Sequence, residues 1–321
     1  MKPFFFKLFI FVGLLLIPLY ALEKYYDYYF SKNLDSCNKP LWLLKQQQNS
    51  YDFAVLGSSR VFNMLDVQTL EKSTQKTGIN LGASGSGYAE NYLMLKLFTE
   101  TNTIKTLIVQ VDLYSLDEKN AFGYPFHDYL YLNKLKEPEV DSIYRDKVSA
   151  VKYYSWKYIP FTKYMEFSNF FSFYKVLKGG YECSSSFLDT TKGSFLVDGK
   201  EAENSEAKPD QNNRFKQRYI DLKDMAYLQK IISFAHSKNI KLLFYTAPEY
   251  YKGFALQGNR NFIYAEITKL AQQNAIPYYN FANYTFDMCR KKELFKDNTH
   301  LNIQGSLQFS SHFGNTLQPH L

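Results

Sequence analysis

Apolar residues in this chain fall into three kinds of pattern, and each predicts a different element. The first is a single long run, residues 4–22, in which Lys7 is the only charged residue; Lys2 precedes it. About 20 apolar residues cross the hydrocarbon core of a bilayer once, so this run predicts a membrane-spanning helix. The second kind is a set of short runs, apolar at nearly every position: residues 53–56, 77–81, 106–111, 240–245 and 276–281. Runs this short, with no polar face, predict strands of a parallel sheet covered on both sides. The third kind lies between them at helical spacing, as in Phe62, Leu65, Val67 and Leu70, or Met225, Leu228, Ile231 and Ile232. Helices are predicted over 62–77, 88–99, 221–236, 261–274 and 302–313. Strands alternating with helices predict an α/β domain of three layers, α/β/α, around a parallel sheet of about five strands.

The same patterns divide the chain. Residues 1–25 form the predicted anchor, 26–50 a polar, tyrosine-rich spacer, and 51–321 the α/β domain. Basic residues at the start of the apolar run favour an amino end in the cytoplasm and the remainder outside, on a single-pass anchor in the cytoplasmic membrane. Cleavage as a signal peptide after Ala21 is the alternative, but Leu19 stands where a small residue is wanted. An insertion at about 117–220 interrupts the α/β pattern. Its first part, 127–180, is dense in aromatics with lysines between them, and Tyr164, Phe167, Phe171 and Tyr174 recur at helical spacing. Three roles fit: a platform that stacks sugar rings, a surface that meets a membrane or a membrane partner, or the aromatic core of a small helical subdomain. Residues 183–214 are polar and aperiodic, which predicts a long loop.

Composition narrows the functional classes. A net charge of +7 suits an anionic partner. No run of Lys and Arg and no nucleic-acid motif accompanies it, so anionic cell-surface chemistry is preferred over nucleic acid. Cys37, Cys183 and Cys289 show no metal-ligand spacing, which argues against zinc. Outside the cytoplasm one pair could form a disulfide and leave the third free. The sequence GASGSG at 82–87 does not match the dinucleotide fingerprint, and no cofactor is expected.

Candidate chemistry gathers where the predicted strands end. The first strand runs into Gly57-Ser58-Ser59-Arg60, which places two hydroxyls at the carboxyl edge of the sheet, where ligands of open α/β sheets bind. A serine hydroxyl needs a general base to become a nucleophile. Asp297-Asn298-Thr299-His300 provides an imidazole with a carboxylate three residues before it, able to orient the ring and stabilise its protonated form. The second strand ends in a glycine-rich turn, the third at Asp112 and the fourth at Glu249, so Ser58, Arg60, Asp112 and Glu249 are further candidates to line the cleft. His127 and Asp128 are assigned no catalytic role.

Ser59 in GSSR, Gly85 in the 80–85 stretch NLGASG, and Asp297-x-x-His300 resemble blocks one, two and five of the SGNH/GDSL hydrolase superfamily, in the same order and at similarly wide spacing. The GSSR form resembles the membrane-anchored extracytoplasmic branch, which includes proteins of teichoic acid D-alanylation and of polysaccharide O-acetylation. The resemblance covers roughly residues 50–115 and 235–310. It implies a Ser59–His300–Asp297 catalytic set and an oxyanion hole from the backbone N–H groups of Ser59 and Gly85. It further implies acyl transfer to a cell-surface polymer, with a multi-pass membrane O-acyltransferase as partner. An esterase and a non-catalytic envelope assembly protein are the alternatives. One departure stands out. The superfamily's third block carries an asparagine that donates to the oxyanion, and here Asp112 stands near that place.

Overall fold

The five apolar runs form one sheet in the computed structural model, which describes residues 2–32, 39–117, 131–132, 134–165, 186–199, 219–254 and 257–321. Strands β1 (Ser50–Leu56), β2 (Gly78–Asn80), β3 (Thr103–Gln110), β4 (Lys241–Thr246) and β5 (Tyr278–Asn280) lie in the order β2-β1-β3-β4-β5. Every pairing is parallel. Register sets Val55 beside Ile108, and Ile108 beside Leu243. Side chains alternate along a strand, so Phe53, Val55, Ile108, Leu243 and Tyr245 share one face and join one core cluster. The Val67–Thr74 and Ile303–Leu317 helices pack together over that face. Phe309 and Phe313 stack at 5.6 Å there, and Tyr245 lies 4.7 Å from Phe313. Each such fully buried side chain contributes about 1.5–3 kcal/mol. The Tyr88–Phe98 and Leu222–Ser237 helices pack against each other on the opposite side. The fold is thus α/β with helices on both faces of a five-stranded parallel sheet.

From β1 the chain steps outward to β2, then returns across β1 to β3. The reversal opens a crevice at the carboxyl ends of β1 and β3, the general ligand position in such sheets.

Two local expectations are corrected. Of the helix predicted over 62–77, Val67–Thr74 is helical, and a separate short helix, Ser59–Phe62, precedes it. Asp66 separates them: its carboxylate accepts the Thr69 N–H at 3.0 Å and caps the second piece, a local bond that competes with helix continuation. Residues 186–199, expected to belong to a long loop, are ordered. Trp42 donates to Asp189 at 2.7 Å, Leu188 is buried, and the Asn80 N–H donates to the Lys192 carbonyl at 3.0 Å. That last bond occupies a backbone group on edge strand β2. The remainder of the predicted loop lies largely outside the described residues.

Contacts divide the chain into two units: Trp42–Tyr124 with Ser186–Leu321, which holds the sheet, and Met1–Leu41 with Pro125–Ser185. In the second unit the first helix, Lys2–Lys32, continues seven residues past the expected end of the anchor. Its stretch Pro3–Tyr28 is long and apolar enough to cross a membrane. Beyond Leu22 the helix becomes polar and pairs within its own unit: Lys163 bridges Glu23 and Asp27 at 3.2 and 2.9 Å, and Tyr26 packs on Phe161 and Tyr164. Those described aromatics form a small core. Phe167, Phe171, Tyr174, His127, Asp128, Cys37 and Cys183 lie outside the described residues. Cys289 is a buried free thiol that donates to the Phe281 carbonyl, and burial raises its pKa to about 11.

Candidate active site

Strand β1 ends at Leu56, and after Gly57 and Ser58 the chain begins the short Ser59–Phe62 helix. The intervening Gly57 is dictated by space: a Cβ there would lie 2.5 Å from Gln110 Oε1 and 2.6 Å from the Val61 side chain. Ser58 caps the helix, its hydroxyl facing the Arg60 N–H at 3.4 Å. This sharp strand-to-helix turn leaves Ser59 half-buried at the sheet edge.

His300 arrives from the far end of the chain. Asn302 fixes it there: its side chain accepts the Gly305 N–H at 3.0 Å to cap the closing helix and donates to the Glu293 carbonyl at 2.7 Å. Gly305 allows that helix end to press on the 294 turn, since a Cβ would stand 2.1 Å from the Leu294 carbonyl oxygen. Ser59 Oγ lies 2.9 Å from His300 Nε2. On the other side of the ring, His300 Nδ1 lies 3.0 Å from both oxygens of Asp297. A carboxylate accepts only, so Nδ1 carries the proton, and Nε2 presents its lone pair to the Ser59 hydroxyl. Asp297 is itself held by the N–H groups of Thr299 and His300, each at 2.8 Å, and by the Thr299 hydroxyl at 2.9 Å. Burial opposes its ionisation, but these bonds and the neighbouring imidazole outweigh it and hold its pKa well below the usual carboxylate range. The three side chains that were expected to meet are thus in one hydrogen-bonded line.

The glycine-rich turn is tied to the same strand end. The Ala83 N–H and the Ser86 hydroxyl both donate to the Gly57 carbonyl, at 3.1 and 2.9 Å. Within that turn Gly85 has φ 73° and is half-buried.

Arg60, Asp112 and Glu249 do not line an open cleft, which corrects the sequence expectation. All three are buried, at 3%, 0% and 0% exposure. Arg60 Nη1 donates to Asp112 at 2.8 Å and to Glu249 at 2.9 Å, while Nη2 donates to the Ala247 and Pro248 carbonyls. Arg260 binds the second oxygen of Glu249 at 2.9 Å. Two carboxylates and two guanidiniums balance, as buried charges must. Burial alone would raise the Asp112 pKa; the Arg60 charge and donors from Ser115 and Gln110 outweigh it and keep it low. Asp112 therefore spends its charge on Arg60 rather than projecting it at Ser59.

Gln110, Thr299, Asn302 and Arg260 were not singled out from sequence. Gln110 Oε1 accepts both the N–H and the hydroxyl of Ser58, at 3.0 and 3.2 Å, and its amide nitrogen donates to Asp112. It couples the ion-pair network to the turn that carries Ser59. Its one sequence signal is a polar residue near the end of an otherwise apolar run. Ser58 is half-buried and engaged by Gln110.

No protein-family model and no curated protein matches this chain. Among solved structures, one from Bacteroides fragilis NCTC 9343, provisionally named an acylhydrolase, aligns over 86% of this chain and 89% of its own at 8% identity, with a TM-score of 0.37. The chemistry rests on the geometry above.

Proposed function

We propose that the chain is a serine-dependent acyl-transfer enzyme. The carrying observation is the unbroken line Ser59 Oγ, His300 Nε2, His300 Nδ1, Asp297, with steps of 2.9 and 3.0 Å. His300 takes the Ser59 proton as Oγ attacks the carbonyl carbon of an ester or thioester. Asp297 holds the imidazolium that forms. The tetrahedral oxyanion is received by the backbone N–H groups of Ser59 and Gly85, one such donor being worth roughly 3–4 kcal/mol. As the intermediate collapses, the leaving group takes the proton from His300, and the acyl group remains on Ser59. An acceptor hydroxyl, deprotonated in turn by His300, then removes it.

The acceptor is a hydroxyl of a cell-surface polysaccharide or teichoic-like polymer, and the acyl group is acetyl or D-alanyl, supplied by a multi-pass membrane O-acyltransferase. The apolar N-terminal helix and its flanking lysines support an anchored domain outside the cytoplasmic membrane. The GSSR and DxxH resemblance supports polymer modification. With water as acceptor the same residues make a carbohydrate or lipid esterase.

The test uses the full chain in detergent, with a fluorophosphonate probe and p-nitrophenyl acetate, wild type against Ser59→Ala and His300→Ala. Labelling and turnover are expected in the wild type and lost in both variants. A folded wild type that neither labels nor turns over ends the catalytic proposal for this chain acting alone.

A further inference from the structure

The helix Ala150–Tyr158, in the same unit as the N-terminal helix, is built unlike a helix of a water-facing surface. It buries Tyr153 and Trp156, yet its outer side is also apolar: Val151, Tyr154 and Tyr158 are 83%, 52% and 70% exposed. These positions are three and four residues apart and form one stripe. The Tyr154 and Tyr158 rings are stacked at 6.2 Å and 10°. Ile159 continues the patch at 47% exposure.

The level of this patch along the N-terminal helix follows from contacts inside the unit. The Phe161 N–H donates to Glu23 at 2.6 Å, the Phe161 ring lies 4.9 Å from that of Tyr26, and Leu19 and Leu22 pack on the same cluster. Lys163 is paired with Glu23 and Asp27. The segment that follows Tyr158 is therefore pinned beside residues 19–27. The apolar run 4–22 rises about 28 Å at 1.5 Å per residue, close to the thickness of a bilayer's hydrocarbon. Hydrocarbon that begins near Phe4 ends near Leu22, next to the pinned segment. Tyrosines at that depth sit where their rings meet acyl chains and their hydroxyls meet headgroups.

We infer that the Val151, Tyr154, Tyr158 and Ile159 face rests on the headgroup–acyl boundary of the bilayer crossed by the N-terminal helix. This rests on the reading of that helix as membrane-embedded, and the test separates the two. The full chain is placed in nanodiscs made with ordinary or dibrominated phosphatidylcholine. Tryptophan reporters are introduced singly as Tyr154→Trp, Tyr158→Trp and, within the anchor, Phe11→Trp; wild-type emission is subtracted, and near-UV circular dichroism verifies the fold. Emission from positions 154 and 158 is expected to fall by roughly half or more in brominated lipid, as a boundary location requires. If the Phe11→Trp reporter is quenched while those at 154 and 158 are not, the face lies in water or against protein. The inference is then overturned with the anchor intact. If none is quenched, the helix is not in the bilayer and both readings fall.

Discussion

Replacing Arg60 by methionine removes a cation that pairs with both Asp112 and Glu249. Methionine fills much of the same space, so the main loss is electrostatic. Glu249 keeps Arg260 at 2.9 Å, but among the described residues Asp112 retains only neutral donors, Gln110 and Ser115, at a site with no exposure. Breaking a buried pair by removing one partner costs about 3–5 kcal/mol. For a unit of about 220 residues, where 1 kcal/mol shifts Tm by about 2–4 °C, the expected fall is about 6–20 °C. The assay is thermal unfolding at neutral pH, followed by near-UV circular dichroism of the full chain in detergent. Two further readings tie the effect to charge. Adding Asp112→Asn removes the stranded carboxylate and is expected to restore part of the stability, with a coupling of about 0.5–3 kcal/mol. In the Arg60→Met variant Asp112 has a raised folded pKa, so its destabilisation is present above that value and shrinks as pH falls through it. A Tm loss below about 2 °C would refute the account, as would a double variant no more stable than the single one.

Asp297→Asn keeps the shape of the site but removes the charge behind His300 and upsets its tautomer. Probe labelling is expected to slow by roughly 10³–10⁴-fold, against complete loss in Ser59→Ala. Gly305→Ala drives a methyl toward the Leu294 carbonyl, and should cost about 1–3 kcal/mol in urea unfolding and weaken labelling, because the same turn leads into His300. Unchanged unfolding and labelling would show that the helix end can move aside freely. Asp52 is held at about 2 by hydrogen bonds from Lys105 and the Thr77 N–H, against an ordinary value of 3.8. Its contribution is full above about pH 4 and lost as pH falls through about 2, so Asp52→Asn should lower the urea midpoint at about pH 6 and lower it far less near pH 2. An equal deficit at both pH values would contradict the linkage.

The layers of the fold were legible because burial leaves a local record. A strand covered on both faces must be apolar throughout, and 53–56, 106–111 and 240–245 show it. The candidate residues were legible for a similar reason: a strand ending in Gly-Ser-Ser and an Asp three before a His are short-range patterns. The break at Asp66 was harder to read, since an aspartate can face solvent on a helix or cap one, and the choice depends on what packs beside it.

Sequence alone thus determined the layer pattern and the apolar amino-terminal helix, and it singled out Ser59, His300 and Asp297 as candidates. Only the tertiary structure decided their 2.9 Å meeting across 241 residues. It also decided the fate of Asp112. Read along the chain, that carboxylate looked like a charge facing an oxyanion; in three dimensions Arg60 neutralises it, and Gln110 links the pair to Ser58. A residue's type follows from its codon, but the field it exerts depends on which charges lie within a few ångströms, and folding brings those together from just past the carboxyl ends of β1, β3 and β4.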